Sequence, residues 1–203
     1  MILEDAIHRP RIKMNNDPKF IIFTGPMFGS KTTRMLATID RYRYQNKKIV
    51  AFKPVIDDRY DQNQIVTHSG GKLFAECVGK GEDVLSYIND LSAKPDVIAV
   101  DEAFMIPNIA TTLIHLFKAG YTIVVSSLQM SASCNVFEEV RDMMPWATKI
   151  EVCPAVCPHT GRDAFYTHRK REDLSEIAVG GADLYEPRCW EMHRYTNGKL
   201  EKD

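Results

Sequence analysis

The first two thirds of the chain alternate between short, uniformly apolar runs and segments with helical periodicity. The runs are strand candidates at 20–24, 48–52, 96–100 and 121–128. Helices are predicted between them, at 31–45, 83–91 and 109–119. Strands that are apolar on both faces are typical of a parallel sheet covered by helices on both sides. The alternation therefore predicts a three-layer α/β fold, with 57–71 as a polar loop or hairpin.

The character of the sequence changes after Pro145, where cysteines, prolines and paired glycines replace the periodic segments. A chain of 203 residues with 44% hydrophobic residues has enough material for one α/β core and a small appendage. We predict an N-terminal arm at 1–18, a core at 19–145 and a loop-rich subdomain at 146–203.

Charge and cysteine content narrow the class of protein. With 26 basic and 27 acidic residues the net charge is -1, which argues against a nucleic-acid partner. No apolar run approaches the roughly 20 residues of a membrane span, so we expect no membrane association. Residues 1–19 contain no apolar h-region, so we expect no secretory signal. Without export, the five cysteines are expected as free thiols or metal ligands.

A glycine-containing loop follows the first strand candidate and precedes the first helix. Its sequence is Gly25-Pro26-Met27-Phe28-Gly29-Ser30-Lys31-Thr32-Thr33. The pattern G-x-x-x-x-G-K-[ST] in this position binds nucleotide phosphates. Gly25, Lys31 and Thr32 fit the pattern, whereas Ser30 stands where it has glycine and Gly29 comes one place early. The loop predicts backbone N–H groups around the phosphates, Lys31 against their charge and Thr32 on Mg²⁺.

Two adjacent carboxylates, Asp101 and Glu102, follow the third strand candidate. Ligands of open α/β sheets bind at the carboxyl ends of the strands. In proteins with a phosphate loop, an Asp at this point supports Mg²⁺. A second carboxylate beside it can serve as general base. We therefore predict Asp101 as a nucleotide-binding residue and Glu102 as a catalytic residue.

Several short motifs follow one another in a fixed order along the chain: G-P-M-F at 25–28, K-P at 53–54 followed by D-R-Y at 58–60, T-H-S-G at 67–70, D-E-A at 101–103, Y-T-H-R at 166–169 and G-G-A-D-L-Y at 180–185. Together they resemble one family, the small tetrameric thymidine kinases that carry zinc. The resemblance implies a P-loop NTPase-like core with a C-terminal zinc-binding lasso subdomain. It also implies transfer of the ATP γ-phosphate to the 5′-hydroxyl of thymidine, with Mg²⁺, by a cytoplasmic homotetramer.

The resemblance also implies roles for individual residues. Lys31 and Thr32 handle the phosphates and Mg²⁺, Glu102 receives the proton of the 5′-hydroxyl, and Arg59 lies near the transferred phosphate. A lasso segment closes over the nucleoside. The residues implied to contact the nucleoside are Met27, Met105, Leu128, Thr167, Gly180, Gly181 and Tyr185.

Two departures from the family concern the base pocket. Phe104-Met105-Ile106 stands where the family has Gln-Phe-Phe. Leu128-Gln129-Met130 stands where it has Leu-Asp followed closely by a base-stacking Phe. Two aromatic walls are therefore missing or moved, with Phe104 or Met130 as substitutes. The alternatives to a thymidine kinase are a deoxynucleoside kinase of altered specificity and a weakened nucleotide-binding relative.

A cysteine and histidine cluster near the C-terminus suggests a structural zinc site. Such a site needs four N or S ligands, and Cys153, Cys157, Cys189 and His193 supply two pairs spaced by four residues. Compared with the family pattern, Cys157 and Cys189 match best, while Thr160 and Met192 fall at the other two positions. We predict zinc on the four residues named first, with His159 as the alternative to Cys153. The competing interpretation is a degenerate site with buried thiols and no metal.

Overall fold

The structure, a computed structural model, describes residues 17–57, 63–67, 70–172, 175–196 and 199–200. Its helices are α1 Lys31–Tyr44, α2 Gly81–Asp90, α3 Ile109–Lys118 and α4 Glu138–Met143. Short 3₁₀ turns lie at Ala103–Met105, Met144–Trp146 and Trp190–Met192. Its strands are β1 Phe20–Gly25, β2 Ile49–Pro54, β3 Gln64–Val66, β4 Lys72–Phe74, β5 Glu76–Val78, β6 Val97–Val100, β7 Thr122–Leu128, β8 Lys149–Val152, β9 Ala155–Val156, β10 Asp163–Ala164, β11 Tyr166–Arg169, β12 Tyr185–Arg188, β13 Tyr195–Thr196 and β14 Lys199–Leu200.

Six strands form one parallel sheet in the order β5-β2-β6-β7-β1-β8. The β1 strand lies between β7 and β8, with Ile22 opposite Val125 on one side and Ile150 on the other. All residues of β1 and β7 are buried. The predicted parallel sheet with covering helices is therefore confirmed.

Alternate residues of the strands enter two separate cores, because successive side chains of a strand point to opposite faces. Phe20 and Ile22 of β1 pack in a core with α2 and α3, where Val84 and Leu113 are fully buried. Ile21 and Phe23 pack in a second core with Met35, Leu36 and Ile39 of α1. The sheet is thus the middle of three layers.

The predicted helices are present with small differences at their ends. Helix α2 begins at Gly81, two residues before the predicted start at Asp83. The Asp83 carboxylate accepts hydrogen bonds from the backbone N–H groups of Gly79 and Lys80, at 2.9 and 3.1 Å. This cap places Asp83 inside the first turn rather than at its start.

The segment 57–71, predicted as a loop or hairpin, contains β3, which pairs in antiparallel register with β4 just beyond it, with Ile65 opposite Leu73. Residues 58–62 and 68–69 of this segment lie outside the described residues. The strand β5 and the helix α4 were not predicted, since both are too short to show a periodic pattern.

The main sheet continues past Pro145, because β8 pairs with β1. Residues 149–152, which we had assigned to the C-terminal subdomain, therefore belong to the sheet. Beyond them lie three two-stranded antiparallel pairs: β9 with β10, β11 with β12, and β13 with β14. Within the described ranges, none of the helices has both the length and the apolar character needed to cross a bilayer.

Candidate active site

The predicted phosphate loop connects β1 to α1 and packs directly against the backbone of Cys153. A β-carbon placed on Gly25 or on Gly29 would lie 2.3 Å from the Cys153 carbonyl oxygen, which is too close for any side chain. Cys153 is held there because its N–H donates to the Thr24 carbonyl at 2.7 Å. Glycine is therefore required at position 29, and this contact explains why the loop has glycine one place early.

Ser30 adopts the left-handed conformation, with φ 57° and ψ 24°, immediately before α1. Non-glycine residues are disfavoured in this region by roughly 1–2 kcal/mol. The Ser30 side chain is exposed and makes no capping hydrogen bond to the helix. The backbone at position 30 thus has the geometry that glycine favours, although the residue is serine.

The side chains of Lys31 and Thr32 point into the site. Lys31 is buried, and its Nζ donates to the carbonyl oxygen of Pro26 at 2.6 Å, within the same loop. The Thr32 hydroxyl donates to the Asp101 carboxylate, with Oγ1 3.2 Å from Oδ1. The structure therefore brings together the start of α1 and the carboxyl end of β6.

Asp101 is buried, and the pKa of its carboxyl is raised from 3.8 to about 7. Desolvation is the main cause and the neighbouring Glu102 adds to it, while the hydrogen bond from Thr32 and the charge of Lys31 act in the opposite direction. A buried carboxylate beside a hydroxyl supplies hard oxygen ligands, which Mg²⁺ prefers. A bound cation would also relieve the unfavourable charge on Asp101. Thr32 and Asp101 therefore fit the Mg²⁺ expected with ATP.

Glu102 lies between two clefts and lines both of them. Its backbone is left-handed, with φ 49°, and leads into the 3₁₀ turn at Ala103–Met105. Met27 also lines both clefts. The two clefts therefore adjoin at the predicted catalytic carboxylate.

The first cleft contains the predicted phosphate loop. It is lined by the loop from Met27 to Thr33, by Asp101 and Glu102, by Gln64–Thr67, and by Gly181 and Ala182. Lys53 and Asp57 also line it, both buried at 2% and 7% exposure. Neither residue was predicted from the sequence. The K-P pair at 53–54 was a signal for Lys53, whereas the D-R-Y match at 58–60 begins one residue after Asp57.

The second cleft is largely apolar. Of the residues predicted to bind the nucleoside, it contains Met27, Met105, Leu128, Thr167, Gly180 and Tyr185. Gly181 lies in the first cleft instead. Thr167 lines the second cleft and also contacts the predicted phosphate loop, because its hydroxyl accepts a hydrogen bond from the Met27 N–H at 3.0 Å.

The second cleft has an aromatic wall, although the family's two aromatic positions are missing or moved in this sequence. Phe104 and Phe137 both line it, with ring centroids 4.5 Å apart and planes inclined by 33°. Phe104 was one of the two predicted substitutes, and Phe137 was missed because it follows β7 by nine positions without a motif. Met130, the other substitute, instead forms a backbone bridge with Val136.

The four predicted zinc ligands do not converge. Cys153 packs in the α1-side core beneath the phosphate loop. The His193 ring stacks on Trp190, and its Nε2 lies 3.4 Å from the Thr167 carbonyl. Across the described ranges, no group of three or more His, Cys, Asp or Glu residues is arranged to hold a metal. His159, the alternative ligand, is paired with Glu186 at 2.9 Å.

Cys157 and Cys189 do share one small apolar cluster, with Met192 packed against it. Thr160 Oγ1 lies 3.6 Å from Cys189 Sγ. Burial by itself raises the pKa of Cys157, but hydrogen bonds from the Thr160 hydroxyl and the backbone N–H groups of Cys189 and His159 lower it to about 6. The two well-matched positions are therefore together, and Thr160 and Met192 stand where the other two ligands were expected.

Arg59, predicted to lie near the transferred phosphate, belongs to the segment 58–62, which is outside the described residues. Its role stays a prediction.

A parallel sheet with a glycine-containing loop between β1 and α1, and a second cleft beside it, is typical of a P-loop kinase. Comparison with known proteins identifies the family. The thymidine kinase family model matches residues 19–193. A protein named thymidine kinase from Pyrobaculum aerophilum is 29% identical over 175 residues, covering 83% of this chain and 95% of that relative. The chain belongs to the thymidine kinase family.

Proposed function

We propose that the protein transfers the γ-phosphate of ATP to the 5′-hydroxyl of thymidine, forming dTMP and ADP. The observation that supports this most directly is the position of Glu102, which lines both the phosphate cleft and the apolar cleft. A nucleoside in the apolar cleft presents its hydroxyl at this boundary, opposite the γ-phosphate of a nucleotide in the other.

On the nucleotide side, the backbone from Gly25 to Thr33 surrounds the phosphates. Lys31 exchanges its hydrogen bond with the Pro26 carbonyl for the β- and γ-phosphates, since its amine already lies inside the loop. Thr32 and Asp101 would hold Mg²⁺, which neutralises charge on the phosphate oxygens when bound.

In the chemical step, the 5′-oxygen forms a bond to the γ-phosphorus while the bond from that phosphorus to the bridging oxygen of ADP breaks. The proton of the 5′-hydroxyl passes to the Glu102 carboxylate. General base catalysis of this kind typically contributes about 10²–10⁴-fold to the rate. Arg59 is assigned to the transferred phosphate by family resemblance alone.

On the nucleoside side, Phe104 and Phe137 offer an aromatic surface to the base, and Met27, Met105 and Leu128 offer apolar contacts. Stacking of a base on an aromatic side chain is worth ~1–3 kcal/mol. The backbone at Gly180 and Gly181, together with Tyr185, completes the pocket in this proposal.

A structural zinc ion is the part of the family expectation that these residues fit least well. Cys157 and Cys189 are suitable donors, but Thr160 and Met192 are weak ones, and Cys153 and His193 lie in other clusters. Elemental analysis of protein purified without chelator tests this expectation. One zinc per chain would support it, and well under one would leave the competing interpretation of buried thiols.

We also expect the homotetramer and the cytoplasmic location that the family implies. Native mass spectrometry would test the assembly, with a mass of one chain contradicting it.

The activity is tested by measuring ADP release from ATP with each deoxynucleoside in turn. Thymidine is expected to give the largest increase. A larger increase with another deoxynucleoside would indicate altered specificity. Tight nucleotide binding without any acceptor-dependent ADP release would indicate a weakened relative and would contradict the proposal.

A further inference from the structure

The last residue of β11, Arg169, is an almost fully buried cation, with 1% of its surface exposed. Its guanidinium carbon lies 5.3 Å from the ring centre of Tyr185 and 5.6 Å from that of Tyr195. Cations over aromatic faces at this distance are stabilised, more strongly when water is excluded. The two tyrosine rings therefore form walls around the charge.

The hydrogen bonds of Arg169 fix the backbone of residues 175–178. Its Nη1 donates to the Ser175 carbonyl at 2.6 Å, and its Nη2 lies 3.4 Å from the Glu176 carbonyl. Nη2 also donates to the Tyr185 hydroxyl at 2.9 Å, which in turn donates to the Ala178 carbonyl at 2.8 Å. Three carbonyls of one short segment thus depend on a single guanidinium group.

This segment forms part of the wall of the apolar cleft. Glu176, Ile177, Ala178 and Tyr185 all line that cleft. Because main-chain hydrogen bonds decide where these residues lie, the shape of the cleft depends on where Arg169 is held.

Tyr195 holds Arg169 from outside the cleft. It belongs to the hairpin of β13 and β14, beyond residue 193, where the family match ends. Tyr195 is 1% exposed, packs with Leu184 and Tyr185, and has its hydroxyl 3.4 Å from Arg169 Nη1. It does not line either cleft itself.

We propose that Tyr195 is a positioning residue for the nucleoside, acting through Arg169 to hold residues 175–178 in the conformation that the nucleoside binds. This inference rests on the proposed function, because it assigns the apolar cleft to the nucleoside. A segment that is already ordered costs less to order on binding. Removal of the Tyr195 ring would leave Arg169 with one aromatic wall and would loosen the segment, so nucleoside affinity would fall.

The test compares Tyr195→Ala with the wild type, using the deoxynucleoside that the wild type phosphorylates best. We expect the Kd of the nucleoside, measured by calorimetry, and its KM to rise about tenfold, which corresponds to ~1.4 kcal/mol. The KM for ATP at saturating nucleoside and kcat should stay within about twofold, because the Tyr195 side chain does not line the cleft of the predicted phosphate loop. Tyr195→Phe keeps the ring and should stay within about twofold of the wild type in every parameter.

Tyr166→Ala is the matched control. It removes a tyrosine ring from β11 in the same subdomain, but that ring packs against Trp190 and His193, with centroids 5.1 and 5.8 Å apart. An equal rise in nucleoside Kd for Tyr166→Ala would show general loosening of the subdomain and would overturn the proposal. An unchanged Kd for Tyr195→Ala would overturn it as well.

A double-mutant cycle with Arg169→Lys checks the route of the effect. Lysine cannot reproduce the two-pronged contact of the guanidinium group. If Tyr195 acts through Arg169, adding Tyr195→Ala to Arg169→Lys should change the nucleoside Kd by less than about twofold, and full additivity would contradict that route. Failure of the wild type to bind or phosphorylate any deoxynucleoside would instead count against the proposed function itself.

Discussion

The sheet and the C-terminal part of the molecule are stabilised by different kinds of contact. In the sheet, alternate apolar side chains of β1, β2, β6 and β7 fill two cores against helices. In the C-terminal part, short strand pairs are joined by particular polar and aromatic groups, such as Arg169 between two tyrosines and His193 against Trp190. A core of the first kind tolerates many apolar substitutions, whereas contacts of the second kind depend on single residues.

The two regions meet at the predicted phosphate loop, and the candidate active site lies at that junction. The Cys153 carbonyl oxygen packs closely against Gly25 and Gly29. The Thr167 hydroxyl holds the N–H of Met27. The predicted phosphate loop is therefore shaped by residues that follow the sheet in the chain, and its geometry cannot be attributed to the sheet alone.

The largest effect is expected for Glu102→Gln, at the boundary of the two clefts. Glutamine keeps the shape but cannot accept the hydroxyl proton, so kcat should fall by about 10²–10⁴-fold while ATP binding persists. Steady-state kinetics and calorimetry measure the two quantities. Glu138→Gln makes the same chemical change on a side chain that is 82% exposed, and it should leave kcat unchanged. A wild-type rate for Glu102→Gln would remove this residue from the mechanism.

Gly29→Ala tests whether the junction with Cys153 shapes the loop. The added methyl group would meet the Cys153 carbonyl at 2.3 Å, so loop or strand must shift. Forced overpacking of this kind costs ~1–3 kcal/mol, and we expect thermal unfolding at lower temperature together with weaker ATP binding.

Gly79→Ala is the control for this change, because a β-carbon there would lie 3.4 Å from its nearest neighbour, Asp83 Oδ2. It should alter stability by less than about 0.5 kcal/mol. Equal effects of the two substitutions would show that the contact with Cys153 is not restrictive.

The same contrast explains what the sequence could predict. Apolar periodicity located the strands 20–25, 49–54, 97–100 and 122–128, because burial on both faces leaves a pattern in the residues themselves. The motifs also selected Lys31, Thr32, Asp101 and Glu102, because phosphate binding requires such residues at fixed positions relative to a strand and a helix. The structure brings these four residues to one cleft, and their roles stay predictions.

The features of the candidate site that the sequence did not predict depend on contacts between segments that are distant in the chain. Phe137 reaches the apolar cleft because α4 packs beside the turn at 103–105, which no local pattern reveals. Counting cysteines and histidines grouped Cys153 with Cys157, yet the chain turns between them, so that one lies under the phosphate loop and the other beside Cys189. Spacing alone could not show that turn.

The raised pKa of Asp101 predicts a pH dependence of nucleotide binding. A carboxyl with a pKa of about 7 is protonated in mildly acidic solution, and a proton there competes with the Mg²⁺ that accompanies ATP. The apparent Kd of MgATP should therefore rise as the pH falls below about 7, by up to about tenfold per pH unit. Calorimetry at several pH values between about 5.5 and about 8 measures this Kd across the titration of Asp101.

The same shift has the opposite consequence for the stability of the free enzyme. The folded pKa lies above the ordinary value of 3.8, so the folded state binds more protons, and stability falls as the pH rises from about 4 to about 7. Asp101→Asn should flatten both profiles. If the MgATP profile of Asp101→Asn keeps the wild-type pH dependence, another group is responsible.

The smallest effect is expected for Ser30→Gly, which concerns the one position where the loop departs from the usual pattern. Its φ of 57° lies in the region that glycine adopts without strain, and the serine side chain makes no capping bond that would be lost. Relief of this strain should outweigh the greater flexibility of glycine in the unfolded chain and stabilise the protein by about 1 kcal/mol. For a domain of this size that corresponds to a rise in Tm of about 2–4 °C.

Ser30→Ala, which removes the hydroxyl but keeps a β-carbon, should give no increase. A gain in Tm for the alanine variant equal to that for glycine would mean that the hydroxyl, and not the backbone conformation, limits stability at this position.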